Sequence, residues 1–251
     1  MKKLLYLVLV IAAIASCGKK KEPQKEAEMS ISTEVNVDGD STVYGLACDG
    51  CTDTILVFLP RSGGDPDTFN ILNASRQQHV FGHPMIGDRM AVVINPENPK
   101  VADLVIDLEE LNGEWCYQVM PRLKERAGMT EAIKREMLAD SAIQQLMQPR
   151  EYGFQIKSDY TARPIGSVYR TMSNDDESPI EYPTLKRYRE WHIFNGRLVL
   201  NETTRDSLGN QVVTGRDTAE FVLMRRDTLV LHFADGERGY YRKEEPKEKD
   251  K

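Results

Sequence analysis

The chain has 251 residues, with 33 Lys and Arg set against 39 Asp and Glu, and a formal charge of −6 at neutral pH. That acidic balance, with no basic stripe, argues against nucleic acid as a partner, and the length allows one or two domains with modest cores. No G-x-S-x-G, H-E-x-x-H, P-loop or dinucleotide fingerprint occurs, so no catalytic residue and no cofactor are assigned and a non-enzymatic role is expected.

The first element is the N-terminal MKKLLYLVLVIAAIASC, in which two lysines precede an apolar run and a cysteine. The run is too short for a permanent membrane span but suits the hydrophobic region of a secretory signal. Ile14-Ala15-Ser16-Cys17 resembles the lipobox of bacterial lipoproteins. The resemblance implies a signal peptide over 1–16, cut before Cys17, and lipidation of Cys17 with acyl chains, palmitate among them. Several such chains hold a protein stably at a membrane where one does so only marginally. Gly18 after the cysteine resembles the outer-membrane class of these proteins, which implies a lipid-anchored place at the outer membrane of the cell envelope, on either its periplasmic or its surface face. Loss of Lys2 and Lys3 with the signal would take the charge from −6 to −8. Residues 17–29 and 244–251 are charged and poor in apolar side chains, and are expected to be a flexible tether and a disordered tail.

Between 30 and 110 β-branched runs alternate with Gly, Asp, Asn and Pro, which predicts a small β-barrel domain. Strands are expected over 31–37, 42–47, 52–59, 68–72, 79–82, 89–94 and 101–107. A five-stranded oligomer-binding barrel and a lipoprotein-specific barrel fit this pattern equally. Asp49-Gly50 is a strong hairpin signal, so Cys48 and Cys51 are expected to face one another across the first rung. The oxidising compartment favours a disulfide between them. The short spacing also fits a labile redox pair or part of a metal site, but no βαβ unit and no second ligand pair accompany it. The motif is similar to one in envelope lipoproteins with a small N-terminal barrel, some tied to surface sensing and copper stress, but no metal site is carried over. His79 and His83 have helical ligand spacing, yet Gly82 and Pro84 make a helix there unfavourable. Cys116 reads as a buried apolar residue.

From 111 to 243 the alternation lengthens into a mainly β pattern. Asn195-Gly196 predicts a two-residue turn pairing Phe194 with Arg197, Ile193 with Leu198 and Trp191 with Leu200. A three-residue loop at Arg225-Arg226-Asp227 would pair Leu223 with Leu229 and Phe221 with Leu231, and Asp235-Gly236 offers a third turn. With strands over 113–119, 151–157 and 162–169 the count is about eight, the number at which a barrel is just wide enough for one small ligand. Gly113-x-Trp115 at the head of this series resembles the opening motif of lipocalins and of their relatives among bacterial lipoproteins. That resemblance implies a lipocalin-like antiparallel β-barrel, with an arginine of the last strand packed near Trp115. Arg242 is the nearest match and Arg238 its rival.

The alternation turns Trp115, Tyr117, Phe154, Ile156, Trp191, Ile193, Leu198, Leu200, Phe221, Leu223, Leu229 and Leu231 inward. These would line a pocket for a small apolar ligand, or simply fill the core of a protein that docks on another envelope protein through loops bearing aromatics such as Tyr182 and Tyr188. Residues 121–149 depart from the lipocalin pattern. Met129, Ala132, Ile133, Ala139, Ile143 and Leu146 recur at helical spacing, so an inserted helix, or two short ones, is expected to plug or lid one barrel end.

Overall fold

Two-residue turns and strict alternation give a run of strands an apolar face to hide, and curling the sheet onto itself is one way to hide it. The computed structural model, which describes residues 39–166 and 178–243, takes this course beyond Asn112. Cys17, the segments 1–16, 17–29 and 244–251, and the expected strand 31–37 lie outside the described residues. Eight antiparallel strands form a nearly closed barrel: β7 (Gly113–Val119), β9 (Arg150–Ile156), β10 (Ala162–Ile165), β12 (Tyr188–Phe194), β13 (Arg197–Arg205), β14 (Gln211–Arg225), β15 (Thr228–Phe233) and β16 (Gly236–Arg242). Their order is β10-β9-β7-β16-β15-β14-β13-β12. A bridge between Thr161 and Glu190 draws the two outer strands together, and Trp191 N–H donates to Tyr160 O at 3.0 Å.

The first hairpin has the expected register, Phe194 opposite Arg197 and Trp191 opposite Leu200. Asn195 and Gly196 take φ of 48° and 73°, the left-handed pair that lets a two-residue turn follow the strand twist. The second hairpin differs from expectation. Arg225 faces Thr228 across a turn of only Arg226-Asp227, so Met224, not Leu223, faces Leu229. A bulge between Phe221 and Leu223 absorbs the extra residue and restores the pairing of Phe221 with Leu231. Because one residue of slip turns every side chain over, Met224 enters the core and Leu223 moves to a half-exposed position. The third turn sits at Ala234-Asp235, one residue earlier than expected, with Phe233 opposite Gly236.

Residues before Asn112 form a six-stranded sheet of β1 (Thr42–Ala47), β2 (Ile55–Pro60), β3 (Asp67–Asn70), β4 (Val80–Phe81), β5 (Arg89–Ile94) and β6 (Ala102–Asp107), in the order β3-β2-β1-β5-β6-β4. Only β4 runs parallel to its neighbour, β6. A bridge from Asn70 to Val101 brings β3 beside the start of β6. The strand expected over 68–72 stops at Asn70, whose Oδ1 accepts from Leu72 N–H at 2.9 Å and turns the chain into α1 (Leu72–Arg76). Likewise β2 begins three residues late, because Thr52 Oγ1 accepts the N–H groups of Thr54 and Ile55 and folds 52–55 into a turn.

One hydrophobic core joins the two sheets. Phe81, Ala91 and Ile106, with Leu108 and Leu111 of α2 (Leu108–Leu111), pack against the inward side chains at one barrel end. The Asn195-Gly196 turn is clamped there. Asn195 N–H donates to Asp40 Oδ1 at 2.8 Å, Ser41 Oγ–H donates to Asn195 Oδ1 at 2.8 Å, and Tyr44 O–H donates to Ile193 O at 2.8 Å. At the other end Val119, Tyr152 and Leu185 pack together with Tyr117 and Tyr182. Between β7 and β9 the chain forms β8 (Arg122–Leu123), which pairs with β11 (Ile180–Glu181), then α3 (Glu131–Ala139) and α4 (Ser141–Leu146). Neither helix buries a residue, and Ile133, Leu138 and Leu146 are exposed. The helical stripe therefore neither plugs nor fills the barrel. Leu185 and Tyr182 cover that end instead.

Gly153 lies opposite Cys116, where a Cβ would come within 2.0 Å of Trp115 O and 2.9 Å of Cys116 Cα. The contact is with backbone, which cannot swing aside. Gly153→Ala is expected to destabilise the fold by about 2–3 kcal/mol, read from urea unfolding; an unchanged midpoint would mean that β7 and β9 do not approach this closely.

Candidate functional site

Of the inward residues named from the sequence, Trp115, Phe154, Ile156, Trp191, Ile193, Leu198, Leu200, Phe221, Leu229 and Leu231 are buried in one continuous cluster. Tyr117 is half-buried against them, and Leu223 is outside the cluster, displaced by the bulge. Sequence reasoning missed Tyr188, Ala219, Met224, Phe233 and Tyr240, which complete the packing. The ring of Phe154 lies 5.1 Å from that of Tyr240 and 5.9 Å from that of Tyr188, and Tyr117 stands edge-on to Tyr240 at 5.3 Å. These separations are those of aromatic rings in direct contact. Side chains occupy the space that a ligand would need.

At the end facing the first sheet, Trp115 is fully buried and its Nε1–H donates to Leu111 O at 2.8 Å. Arg242, its cross-strand partner, lays its guanidinium 4.2 Å from the indole centre. The same group donates to Asn112 O at 2.5 Å and to Glu110 O and Arg226 O. Gly113 takes a φ of 136° and leaves room for this guanidinium, since a Cβ there would lie 2.2 Å from Arg242 Nη1. Arg238, the rival candidate, instead lies 5.3 Å from the ring centres of both Tyr117 and Phe233, toward the far end. There Tyr188 O–H donates to Asp217 Oδ2 at 2.5 Å and Lys186 Nζ pairs with the same oxygen at 3.0 Å. Tyr188 is buried rather than displayed on a loop, while Tyr182 is half-buried with its O–H donating to Gln148 O. Burial pushes the Tyr188 and Tyr240 hydroxyls well above the usual phenol range.

The cysteine motif has a different geometry from the expected rung. Ala47 already faces Phe58, and the chain then makes a loop of two turns before β2, with Gly50 at φ 96°. Cys48 and Cys51 are free thiols: Cys48 N–H donates to Val57 O at 2.8 Å, and Cys51 Sγ–H reaches Cys48 O at 3.2 Å. Cys116 is buried, and burial pushes its thiol up to about 11. His79 and His83 flank β4, not a helix, and His83 N–H donates to Glu110 Oε2 at 2.8 Å. Among the described residues no group of three or more His, Cys, Asp or Glu is placed to hold a metal ion. No described helix is long and apolar enough to cross a membrane.

The clefts lie outside the barrel. One, of about 520 Å³, runs between the two sheets and is lined by Cys51, Asp53, Leu56, Ile71, Phe81, His83, Met224 and Arg225, among others. A second, of about 740 Å³, lies along β3 around Phe69 and Lys100, and a third, of about 820 Å³, lies between β8 and α3. Compared with known proteins, the chain matches no family model, and no curated protein or solved structure resembles it at a significant level.

Two outcomes test this description. If the interior is filled, Leu231→Ala, at a fully buried position, should cost about 2–5 kcal/mol in chemical denaturation, the range for a cavity cut into a packed core; a cost under about 1 kcal/mol would reveal spare room. The second outcome concerns Asp107, which caps α2 by accepting the N–H groups of Glu109 and Glu110. Its burial, with help from the Asp88 and Glu110 carboxylates, raises its pKa from 3.8 to about 7 despite those bonds. The folded chain thus binds a proton between about pH 4 and 7 that the unfolded chain releases, so this contribution to stability is complete below about pH 4 and is lost as pH rises through about 7. Asp107→Asn keeps the capping oxygen and removes the charge. It should melt higher than wild type at about pH 8 and show a flatter profile between about pH 4 and 7; parallel profiles would show that Asp107 is not the titrating group.

Proposed function

We propose that the protein is a lipid-anchored lipoprotein of the outer envelope, a small N-terminal barrel followed by a lipocalin-like barrel, that works by docking on another envelope protein. The anchor rests on the lipobox-like Ile14-Ala15-Ser16-Cys17. The lipocalin-like reading rests on Gly113-x-Trp115 opening the barrel and on Arg242 of the last strand lying over that tryptophan. The bridge from Asn70 to Val101 supports closure of the N-terminal sheet into a small barrel. Docking, rather than transport of a small apolar ligand, is carried by one observation: rings and aliphatic side chains fill the barrel interior.

The surface supplies a place for a partner. Beyond the barrel wall β13 and β14 continue as a projecting hairpin, pairing Thr203 with Val213 and Arg205 with Gln211. Leu208, Val212 and Val213 are exposed there, Leu208 at 84%. On its other side β14 meets β15 only from Glu220 onward, so among the described residues the stretch before it offers an open backbone edge. An open edge with exposed β-branched side chains is complementary to an extended strand of a partner, through main-chain hydrogen bonds.

The test places a photo-crosslinking residue at Leu208 in the full chain, produced in a Gram-negative host of lipoprotein-processing competence. A discrete crosslinked envelope protein is expected, abolished by Val212→Lys with Val213→Lys. Cys17→Ala should shift the chain from the membrane to the soluble fraction. Extraction of a stoichiometric apolar molecule from the purified protein, with no crosslinked partner, would overturn docking in favour of ligand carriage.

A further inference from the structure

We propose that the cleft between the two sheets binds a small zwitterion bearing an apolar group, the chemistry shared by a free apolar amino acid and a short apolar peptide. The inference does not depend on the docking reading, which concerns the hairpin at the far end of the barrel. With about 520 Å³ the cleft falls in the range of small-molecule sites. Its floor is apolar and already in place: Leu56, Ile71, Phe81 and Met224 are all buried. Gly82, just after β4, donates its N–H to Met224 O at 3.4 Å, and a Cβ there would lie 3.1 Å from Met224 Cε of the barrel and 2.6 Å from Asp107 Cβ of its own sheet, so the segment is held between the two sheets and the floor with it.

Two opposite charges share this lining. Asp53 comes from the loop before β2 and Arg225 from the last position of β14, so each belongs to a different wall. Among the described residues neither takes part in an ion pair, although other Asp, Glu and Arg side chains of the surface do. An apolar molecule would fill the floor and leave both charges without a partner. An anion would be met by Arg225 but repelled by Asp53, and a cation the reverse. A molecule with an ammonium and a carboxylate beside an apolar group satisfies the floor and both charges together, and charge-assisted hydrogen bonds at both ends would fix its orientation.

Calorimetric titration of the full chain with leucine, the dipeptide Leu-Leu, N-acetyl-leucine and leucinamide tests the assignment. Saturable binding is expected for leucine, for Leu-Leu, or for both, and which of the two is tighter tells the amino acid from the peptide. N-acetyl-leucine, which lacks the ammonium, and leucinamide, which lacks the carboxylate, should each bind at least about tenfold more weakly. Arg225→Ala should abolish the discrimination against leucinamide alone, and Asp53→Asn the discrimination against N-acetyl-leucine alone. Both sites are exposed, so melting temperatures should stay at the wild-type value. Absence of saturable heat for leucine and Leu-Leu at about 10 mM would overturn the proposal, as would binding that ignores the two caps or the two substitutions.

Discussion

A single guanidinium ties one end of this barrel to the helical turn that leads out of the neighbouring sheet. Arg242 stacks on Trp115 across β7 and β16 while donating to carbonyls of Glu110, Asn112 and Arg226. Two of those carbonyls come from one stretch, the end of α2 and the link into β7, and the third from the turn before β15, more than a hundred positions away in the sequence. A planar fork with five donors is suited to such a junction, because it satisfies several backbone acceptors while its face covers an aromatic ring. The buried indole N–H is in turn committed to Leu111 O, so the helical turn that delivers the chain into the barrel is tied to the barrel's first strand. Lysine could supply the charge but not the fork or the stacked face.

The junction determines how the two sheets share a core. Leu108 and Leu111 enter the barrel end beside Trp115, and Phe81 meets Phe221 with ring centres 5.2 Å apart. The barrel is thus stoppered by its own N-terminal neighbour and covered at the other end by Leu185 and Tyr182. Interiors of this kind are packed to the density of organic crystals, and eight strands leave room for side chains or for one small molecule but not for both. With the interior filled, the open features of the described surface include the hairpin that overshoots the barrel and the cleft that remains where the sheets meet.

Much of the barrel was legible beforehand, and particular residues explain why. Asn195-Gly196 dictated its own turn geometry, and the register of Trp191, Ile193, Leu198 and Leu200 followed from it. Arg226-Asp227 carried no such left-handed signature, so the loop was read one residue too long, and a bulge then exchanged Leu223 for Met224 in the core. Tyr188, Phe233 and Tyr240 were missed as core residues because tyrosines and strand-end positions carry mixed polarity, and only closure of the sheet decides which way they face. The stripe from Met129 to Leu146 had a helical period, and helices formed, but period alone does not supply a surface to pack against.

Alternation and turn chemistry act over a few neighbouring residues, so the mainly β character, most strands of the second half and most of their inward faces can be read from the chain alone. Packing was needed to settle that the two halves share one core, that Arg242 rather than Arg238 covers Trp115 and that the interior is filled, while hydrogen bonds nearer in the chain set Cys48 and Cys51 in a loop and not across a rung. The shared core and the Arg242 stack join residues more than a hundred positions apart, and local pattern holds no information about which distant surfaces will exclude water from one another.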